Sequence, residues 1–470
     1  MEAKLLEIVQ NLNAWLSDYI LIILLVGTGL FYSIKTRFVQ VRCFGDGMKQ
    51  VFGKLSLRGG KQASGLSSFQ ALATAIAAQV GTGNIVGASG AILIGGPGAI
   101  FWMWVIAFLG MATIYAEAVL AQETRIKDEN GEIHGGPVYY IKKAFPNGFG
   151  TFLSGFFAVA IVLALGFMGS MVQSNSIAET CNTAFGIDQW IMGIAVAVIA
   201  AIIFLGGVQR LASVTEKMVP FMALLYIIGG LVILCIRIKY VPETFGLIFK
   251  YAFTPSALIG GGIGYALKTA ISQGAKRGLF SNEAGMGSTP HAHAMANVER
   301  PHDQGIAAMI GVFIDTFVVL TMTALVVISC LYAGNGPLAG ATGANYTSLI
   351  EGAGISKTNA MQMAFSSALP IGNLGNIFVA ICLFFFALST IIGWNFFGKI
   401  NAQFLCKNNK VGTALYAIIS VAFIFLGSIL SNDLVWELTD FFNYLMVIPN
   451  VIALIALAKL VKVVKRNKSK

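Results

Sequence analysis

Ala77-Ala78-Gln79-Val80-Gly81-Thr82-Gly83-Asn84-Ile85-Val86-Gly87 lies in the middle of an apolar stretch of the chain. Two glycines flank Thr82, and a backbone without Cβ atoms leaves helical geometry at low steric cost. Within hydrocarbon, unwound backbone is tolerated only where it is buried in protein or lines a cavity. Unwinding here frees carbonyls before the break and amides after it. Carbonyl oxygens suit a sodium ion, and amides at a half-helix N-terminus suit a carboxylate. An amino acid accompanied by sodium would use both. Two other readings compete. One is a continuous helix whose glycines serve close packing. The other is a nucleotide-binding glycine loop, against which the lack of a preceding strand argues.

The surroundings of this stretch are those of a membrane protein. The 470 residues are 56% hydrophobic and 11% charged, where a soluble domain carries roughly 25% charged residues. Eleven apolar stretches are long enough to span a bilayer core: 15–34, 67–95, 99–121, 151–177, 189–207, 215–237, 262–296 with a polar interior, 304–332, 372–398, 411–429 and 434–463. A core of about 30 Å takes roughly 20 helical residues. The runs are continuous, which excludes a closed β-barrel of short alternating strands. The expected class is an all-α polytopic membrane protein with about 11 transmembrane helices. The net charge of +10 fits basic cytoplasmic loops rather than a nucleic-acid partner. Six scattered cysteines without a CxxC pair argue against a disulfide framework or zinc site. Met1 to Asn13 is polar and of mixed charge, unlike a cleaved signal peptide.

Lys35, Arg37, Arg42, Lys49, Lys54, Arg58 and Lys61 follow the first span, against one acid, Asp46. The tail carries Lys459, Lys462, Lys465, Arg466, Lys468 and Lys470 without an acid. Both belong in the cytoplasm by the excess of Lys and Arg. An odd number of spans then puts the N-terminus outside. Arg237, Lys239 and Lys250 dissent, on the predicted outer side. The chain divides into a first helix with its basic loop (1–66), two halves of five spans each (67–238 and 262–463), a connecting segment (239–261) and a basic tail (464–470). Five is odd, so the halves have opposite topology. Each half opens with an interrupted helix, and paired interruptions mark the binding site of a secondary transporter.

The second interruption is Ser272-Gln273-Gly274-Ala275-Lys276-Arg277-Gly278-Leu279-Phe280-Ser281-Asn282-Glu283-Ala284-Gly285-Met286-Gly287-Ser288. Its charges, Lys276, Arg277 and Glu283, are expensive at membrane depth and therefore functional candidates. The competing reading makes 277–300 a cytoplasmic loop. Farther on, Phe386-Ala387-Leu388-Ser389-Thr390 leads to Trp394. The adjacent hydroxyls are either hard oxygen ligands or bonds back to their own helix. Trp394 lies one turn past Thr390, as a cavity wall or an interfacial anchor. Asp315 is an intramembrane acid that would hold a second cation or a proton, or pair with Lys276 or Arg277, with the pairing favoured. Glu117 reads as a solvated acid near a cytoplasmic helix end. His291 and His293 are one residue apart, on different helix faces, which disfavours zinc.

Val80-Gly81-Thr82-Gly83-Asn84-Ile85, the Gly-rich run to Gly98, and Lys276-Arg277-Gly278-Leu279-Phe280-Ser281-Asn282-Glu283-Ala284-Gly285 together resemble the alanine/glycine:cation symporter family. These are sodium-coupled alanine or glycine carriers of bacteria and archaea. The resemblance implies a fold similar to the bacterial leucine transporter: a five-plus-five inverted repeat with one extra N-terminal helix. It also implies a sodium site made of the carbonyls of Ala77, Val80 and Phe386 with the hydroxyls of Ser389 and Thr390. The substrate carboxylate would meet the amides of Thr82 and Gly83, with Gln79 beside the amino acid. Asn282 would supply acceptors for the ammonium group. Phe280 and Trp394 would cap a cavity for a small side chain, and Thr390 would belong to the substrate site as well as to the sodium site. Asn84 and Asp315 are candidates for a second cation. The expected function is secondary active import of alanine or glycine with co-transported sodium by a monomer in the cell (inner) membrane. A proton-coupled permease is the runner-up. An ion channel is disfavoured because the two breaks differ in sequence. No paired carboxylates, nucleophile elbow or HExxH motif suggest an enzyme.

Overall fold

The structure, a computed structural model, describes residues 2–53, 65–127, 133–205 and 207–464. Lys54, Arg58 and Lys61 of the basic loop, and Lys465, Arg466, Lys468 and Lys470 of the tail, lie outside the described residues. The principal helices of the first part are α1 (Glu2–Lys35), α2 (Ser68–Gln79), α3 (Gly83–Gly95), α4 (Ala99–Thr124), α5 (Gly148–Phe185), α6 (Gln189–Phe204) and α7 (Arg210–Ile236). After a connecting segment come α8 (Ile263–Asn282), α9 (Pro290–Ala294) and α10 (Pro301–Leu331). The last three are α11 (Leu374–Leu405), α12 (Lys410–Ile429) and α13 (Asn432–Ala456). Every one of the expected apolar stretches falls on a helix or a broken helix pair. By length and composition eight are spans, or nine when α2 and α3 count as one bent span. The two that fall short do so for different reasons: α6 is a shorter apolar helix, and α8 is charged and polar along much of its length.

Burial sorts the helices into an interior and a rim. Of the most apolar window, 72% is buried in α11 and 67% in both α4 and α10, but only 28% in α1 and α12. The outward faces of α1 and α12 carry the exposed apolar side chains Ile23, Leu415 and Ile418, as suits helices facing lipid.

The two breaks have different local causes. Ser67 starts α2 with a capping box: its hydroxyl takes the Gln70 amide, and Gln70 reaches back to the Ser67 amide. The helix stops at Val80, whose ψ is 91°, and α3 resumes at Gly83 with a bend of 48°. The second helix was expected to be interrupted over Ser272–Ser288. It is continuous to Asn282, and only Glu283–Thr289 is non-helical. Glu283, Gly285 and Gly287 all have positive φ (58°, 97° and 80°), which stops the helix and turns the chain into α9. The reading of 277–300 as a loop fails because Arg277–Asn282 is helical and buried.

The breaks touch. A Cβ on Gly83 would stand 2.9 Å from Phe280 and 3.1 Å from the Ser281 Cα. The long helix α11 crosses the first break just as closely, since a Cβ on Gly393 would meet the Ala78 Cβ and backbone at 3.0–3.1 Å. Gly393→Val should therefore force α11 away from α2, with an expected loss of about 1–3 kcal/mol. Thermal unfolding in detergent reads this out, and an unchanged midpoint would contradict the close approach.

Candidate functional site

Three carbonyls and two hydroxyls gather where α11 crosses the end of α2. The Thr390 hydroxyl stands 3.0 Å from the Ala77 carbonyl, 3.1 Å from that of Phe386 and 3.4 Å from that of Val80. The Ser389 hydroxyl donates to the same Phe386 carbonyl at 2.8 Å and lies 3.4 Å from the Met222 sulfur. All five residues are buried. The last carbonyls of a helix lack an intrahelical donor, which explains why Ala77 and Val80 present oxygens here. A hydroxyl has one proton and can serve only one of three carbonyls at a time. The cluster is thus rich in neutral oxygens and short of protons, the chemistry of a site for a hard monovalent cation. Glycine at 81 is required by this approach: a Cβ there would lie 2.3 Å from the Thr390 hydroxyl oxygen.

The opposite side of the break presents polar groups of mixed sense. The Thr82 amide donates to the Gln173 side-chain oxygen at 3.1 Å, and the Gly81 amide donates to Asn84 Oδ1 at 3.0 Å. Thr82 Oγ1, Gln173 Nε2 and Gln79 Oε1 are buried without a hydrogen-bond partner among the described residues. Gln79 Nε2 donates to the Asn282 carbonyl at 2.7 Å, tying the two breaks together. The Asn282 side chain is committed elsewhere: its Oδ1 accepts the Ala284 amide and its Nδ2 donates to Thr316. Phe280 packs between two indoles, 5.6 Å from Trp394 edge-on and 4.7 Å from Trp436. Trp394 donates its N–H to Glu283 at 2.5 Å, so it is a buried wall and not an interfacial anchor. Of the residues expected to bind substrate, Gln79, Thr82, Gly83, Phe280, Asn282, Thr390 and Trp394 all surround the crossing of the breaks. Gln173 was not foreseen. The run Gln173-Ser174-Asn175-Ser176 inside an apolar span was its sequence signal.

Asp315 does not pair with Lys276 or Arg277. It sits in a π-helical turn of α10, Phe313–Leu320, and accepts from Asn84 at 2.7 Å, Ser281 at 2.8 Å and Thr316 at 2.9 Å. No cation faces it among the described residues. The reason is axial position. Arg277 precedes Ser281 by four residues, about 6 Å along the helix, and at its level meets Asp440 at 2.9 Å and the Trp436 ring at 4.7 Å. Lys276 faces Asp18 of α1, 3.8 Å away, alongside Lys268 at 2.9 Å.

Glu117 is also not where it was expected. It is wholly buried, seven residues inside the end of α4, about 10 Å from that end. Its carboxylate accepts the Gly285 and Gly287 amides at 3.2 and 3.1 Å and the Asn450 side chain at 2.6 Å. The break after α8 frees those amides, and Glu117 supplies their acceptor. His291 and His293 serve structure: His291 bonds the Ser288 carbonyl and Asn401, and His293 bonds Gln304.

A sequence profile described as the sodium:alanine symporter family matches residues 2–469. The chain is 42% identical over 457 residues to the sodium/alanine symporter AgcS of Methanococcus maripaludis, covering 97% of this chain and 95% of that one. It is 40% identical over 458 residues to a putative sodium/proton-dependent alanine carrier, YrbD, of Bacillus subtilis, covering 96% and 90%. In three dimensions it is similar to MhsT, solved in complex with L-phenylalanine. There the TM-score is 0.56 at 13% identity, over 85% of this chain and 99% of that one. The all-α, leucine-transporter-like fold expected from the sequence is the fold of the chain.

Glu117→Ala would leave two backbone amides and the Asn450 amide without their acceptor, at about 1–3 kcal/mol for each unsatisfied group. The expected result is a loss of several degrees or more in thermal midpoint, with Glu117→Gln recovering part of it. Indistinguishable midpoints for Ala, Gln and wild type would show that the second break does not depend on this carboxylate.

Proposed function

The chain belongs to the sodium:alanine symporter family, and from that premise we propose that it imports a small neutral amino acid, alanine or glycine, driven by sodium. The observation that carries the reading is the cluster of Ala77, Val80 and Phe386 carbonyls with the Ser389 and Thr390 hydroxyls. Five neutral oxygens suit a monovalent cation, since they supply coordination without fixed charge. Sodium there bridges α2 and α11.

The amino acid lies across the crossing of the breaks. Thr82 Oγ1 and Gln173 Nε2 are donors without partners among the described residues and suit the carboxylate, together with the Gly83 amide; the Thr82 amide is already taken by the Gln173 side-chain oxygen. Gln79 Oε1 is an acceptor without a partner and suits the ammonium group. Asn282 acts through its carbonyl, which Gln79 already touches, more readily than through its occupied side chain. Phe280 and Trp394 close the small side-chain end. Asp315, with Asn84 beside it, seats a second cation, sodium or proton; the carboxylate lacks a cationic partner among the described residues.

Transport follows from alternating access between the two halves, read as inverted repeats over 67–238 and 262–463. With the N-terminus outside and the C-terminus cytoplasmic, the Arg277–Asp440 pair lies on the outer side of Phe280 and must part to admit substrate. On the inner side Leu66 and Asn297 bond across to tie the start of α2 to the segment after α9. Coupling requires each ligand to favour the state that binds the other.

In proteoliposomes, labelled alanine uptake should depend on an inward sodium gradient. Thr390→Ala should raise the sodium concentration for half-maximal uptake by about tenfold, the loss of one ligand interaction, whereas Gln79→Leu should chiefly raise the alanine KM. Gradient-independent uptake would sink sodium coupling, and the same effect from both variants would sink the division of the site.

A further inference from the structure

A trough of about 590 Å³ opens between the ends of α6 and α11 and the start of α12, remote from the crossing of the breaks. Its walls are apolar, formed by Ala201, Phe204, Ala414, Ala417, Ile418 and Val421. One end is basic and polar, with Lys399, Lys410, Asn408 and Thr413. Ile418 is 68% exposed and Leu205, at the rim, 89% exposed, so the trough faces the bilayer. The charge at its end is uncompensated. Neither lysine has a carboxylate partner among the described residues. No Asp or Glu occurs anywhere in residues 189–215 or 374–432, the stretches that build it.

We propose that this trough is a binding site for one anionic phospholipid of the cytoplasmic leaflet. Its phosphate sits between Lys399 and Lys410, and an acyl chain runs along Phe204, Ala417 and Ile418. The charge pattern selects this occupant: apolar walls open to the bilayer demand a chain, and two unpaired ammonium groups at one end demand an anion. Basic pockets between membrane helices on the cytoplasmic side have this chemistry. Alanines at 201, 414 and 417 leave the room that larger side chains would fill. Asn408 and Thr413 offer hydrogen bonds to a polyol headgroup. A lipid held here ties α11 to α12. Thr390 stands nine residues before Lys399 on the same helix, about 14 Å along its axis. The lipid therefore fixes the cytoplasmic end of the helix whose middle forms the oxygen cluster. The site stands independently of which ion or amino acid the chain carries.

The test uses the full chain, purified and delipidated in a neutral detergent, with dioleoyl-phosphatidylglycerol or dioleoyl-phosphatidylcholine added back. Bound lipid is counted by native mass spectrometry, and thermal midpoints are read in parallel. Phosphatidylglycerol should bind one molecule tightly and raise the midpoint, while phosphatidylcholine should do neither. K399Q/K410Q should weaken phosphatidylglycerol by roughly thirty-fold, at about five-fold per lysine near a membrane surface. It should leave the midpoint without lipid unchanged. Ala417→Trp, which fills the trough and keeps both lysines, should weaken it as well. A control removing two other basic residues of the same side, K459Q/K462Q, should retain wild-type binding. The proposal falls if K399Q/K410Q holds phosphatidylglycerol as wild type does. It falls equally if K459Q/K462Q loses as much, which would show diffuse attraction, or if glycerol phosphate without chains gives the same midpoint rise.

Discussion

Backbone polar groups inside a bilayer must find partners within the protein, because an unpaired amide or carbonyl in hydrocarbon costs several kcal/mol. Two helix breaks at membrane depth create such groups by the handful, and much of the interior answers them. The Thr82 amide finds Gln173, the Gly81 amide finds Asn84, and the Gly285 and Gly287 amides find Glu117. Among the described residues, the side-chain donor that the Ala77 and Val80 carbonyls find is one shared hydroxyl proton, that of Thr390. The carbonyl side of the first break is therefore underserved, while the Ala284, Gly285 and Gly287 amides of the second find side-chain oxygens. That inequality separates a site that can admit a cation from a loop that is simply held.

The same constraint explains why the two breaks sit against each other. Gly83 touches Phe280 and Ser281, and Gln79 reaches the Asn282 carbonyl. Bringing both irregular segments to one place lets each supply partners for the other. Asp315 enters this junction from a π-helical turn of α10, a geometry that turns one extra residue toward the interior. Its three hydrogen bonds join both breaks, through Asn84 on one and Ser281 on the other. A change of charge or ligand at this carboxylate is felt by both broken helices at once.

The sequence was legible wherever a residue violated the rule for its surroundings. Gly81 and Gly83 in an apolar run, Ser389 and Thr390 in another, and Asp315 in a third were all visible for that reason. The helices themselves were visible as continuous apolar runs. Partners were not. Nothing in the sequence places Arg277 beside Asp440, or Glu117 beneath Gly285, because those pairs are more than 160 residues apart and depend on tertiary packing. The hydropathy boundary puts Glu117 close to a helix end, whereas the helix runs on to Thr124 and buries it. The polarity of Ser272–Ser288 suggests a longer irregular stretch than the one present, because polar residues can remain helical where they have partners. Ser272, Lys276 and Arg277 are polar but helical, and their partners lie on α1 and α13.

Coupling between ligands can be argued from which elements each would join. At the proposed sites, a cation among Ala77, Val80, Phe386, Ser389 and Thr390 would tie α2 to α11. An amino acid between Thr82, Gln173 and Gln79 would tie the first break to α5 and, through the Asn282 carbonyl, to the second break. The two sets interleave along one stretch of the first break, Ala77 and Val80 in one and Gln79 and Thr82 in the other, whose conformation both would have to fix. Ordering an unwound segment loses conformational entropy, of order 1–2 kcal/mol per residue. Whichever ligand binds first bears most of that loss, and the second then binds a segment already ordered. Positive coupling of the 1–3 kcal/mol typical of linked sites would need no contact between the ligands, only this shared stretch of backbone. A rigid continuous helix at Gly81–Gly83 would remove the entropy to be shared, and with it the coupling, which gives a physical reason for two glycines at this point in the chain.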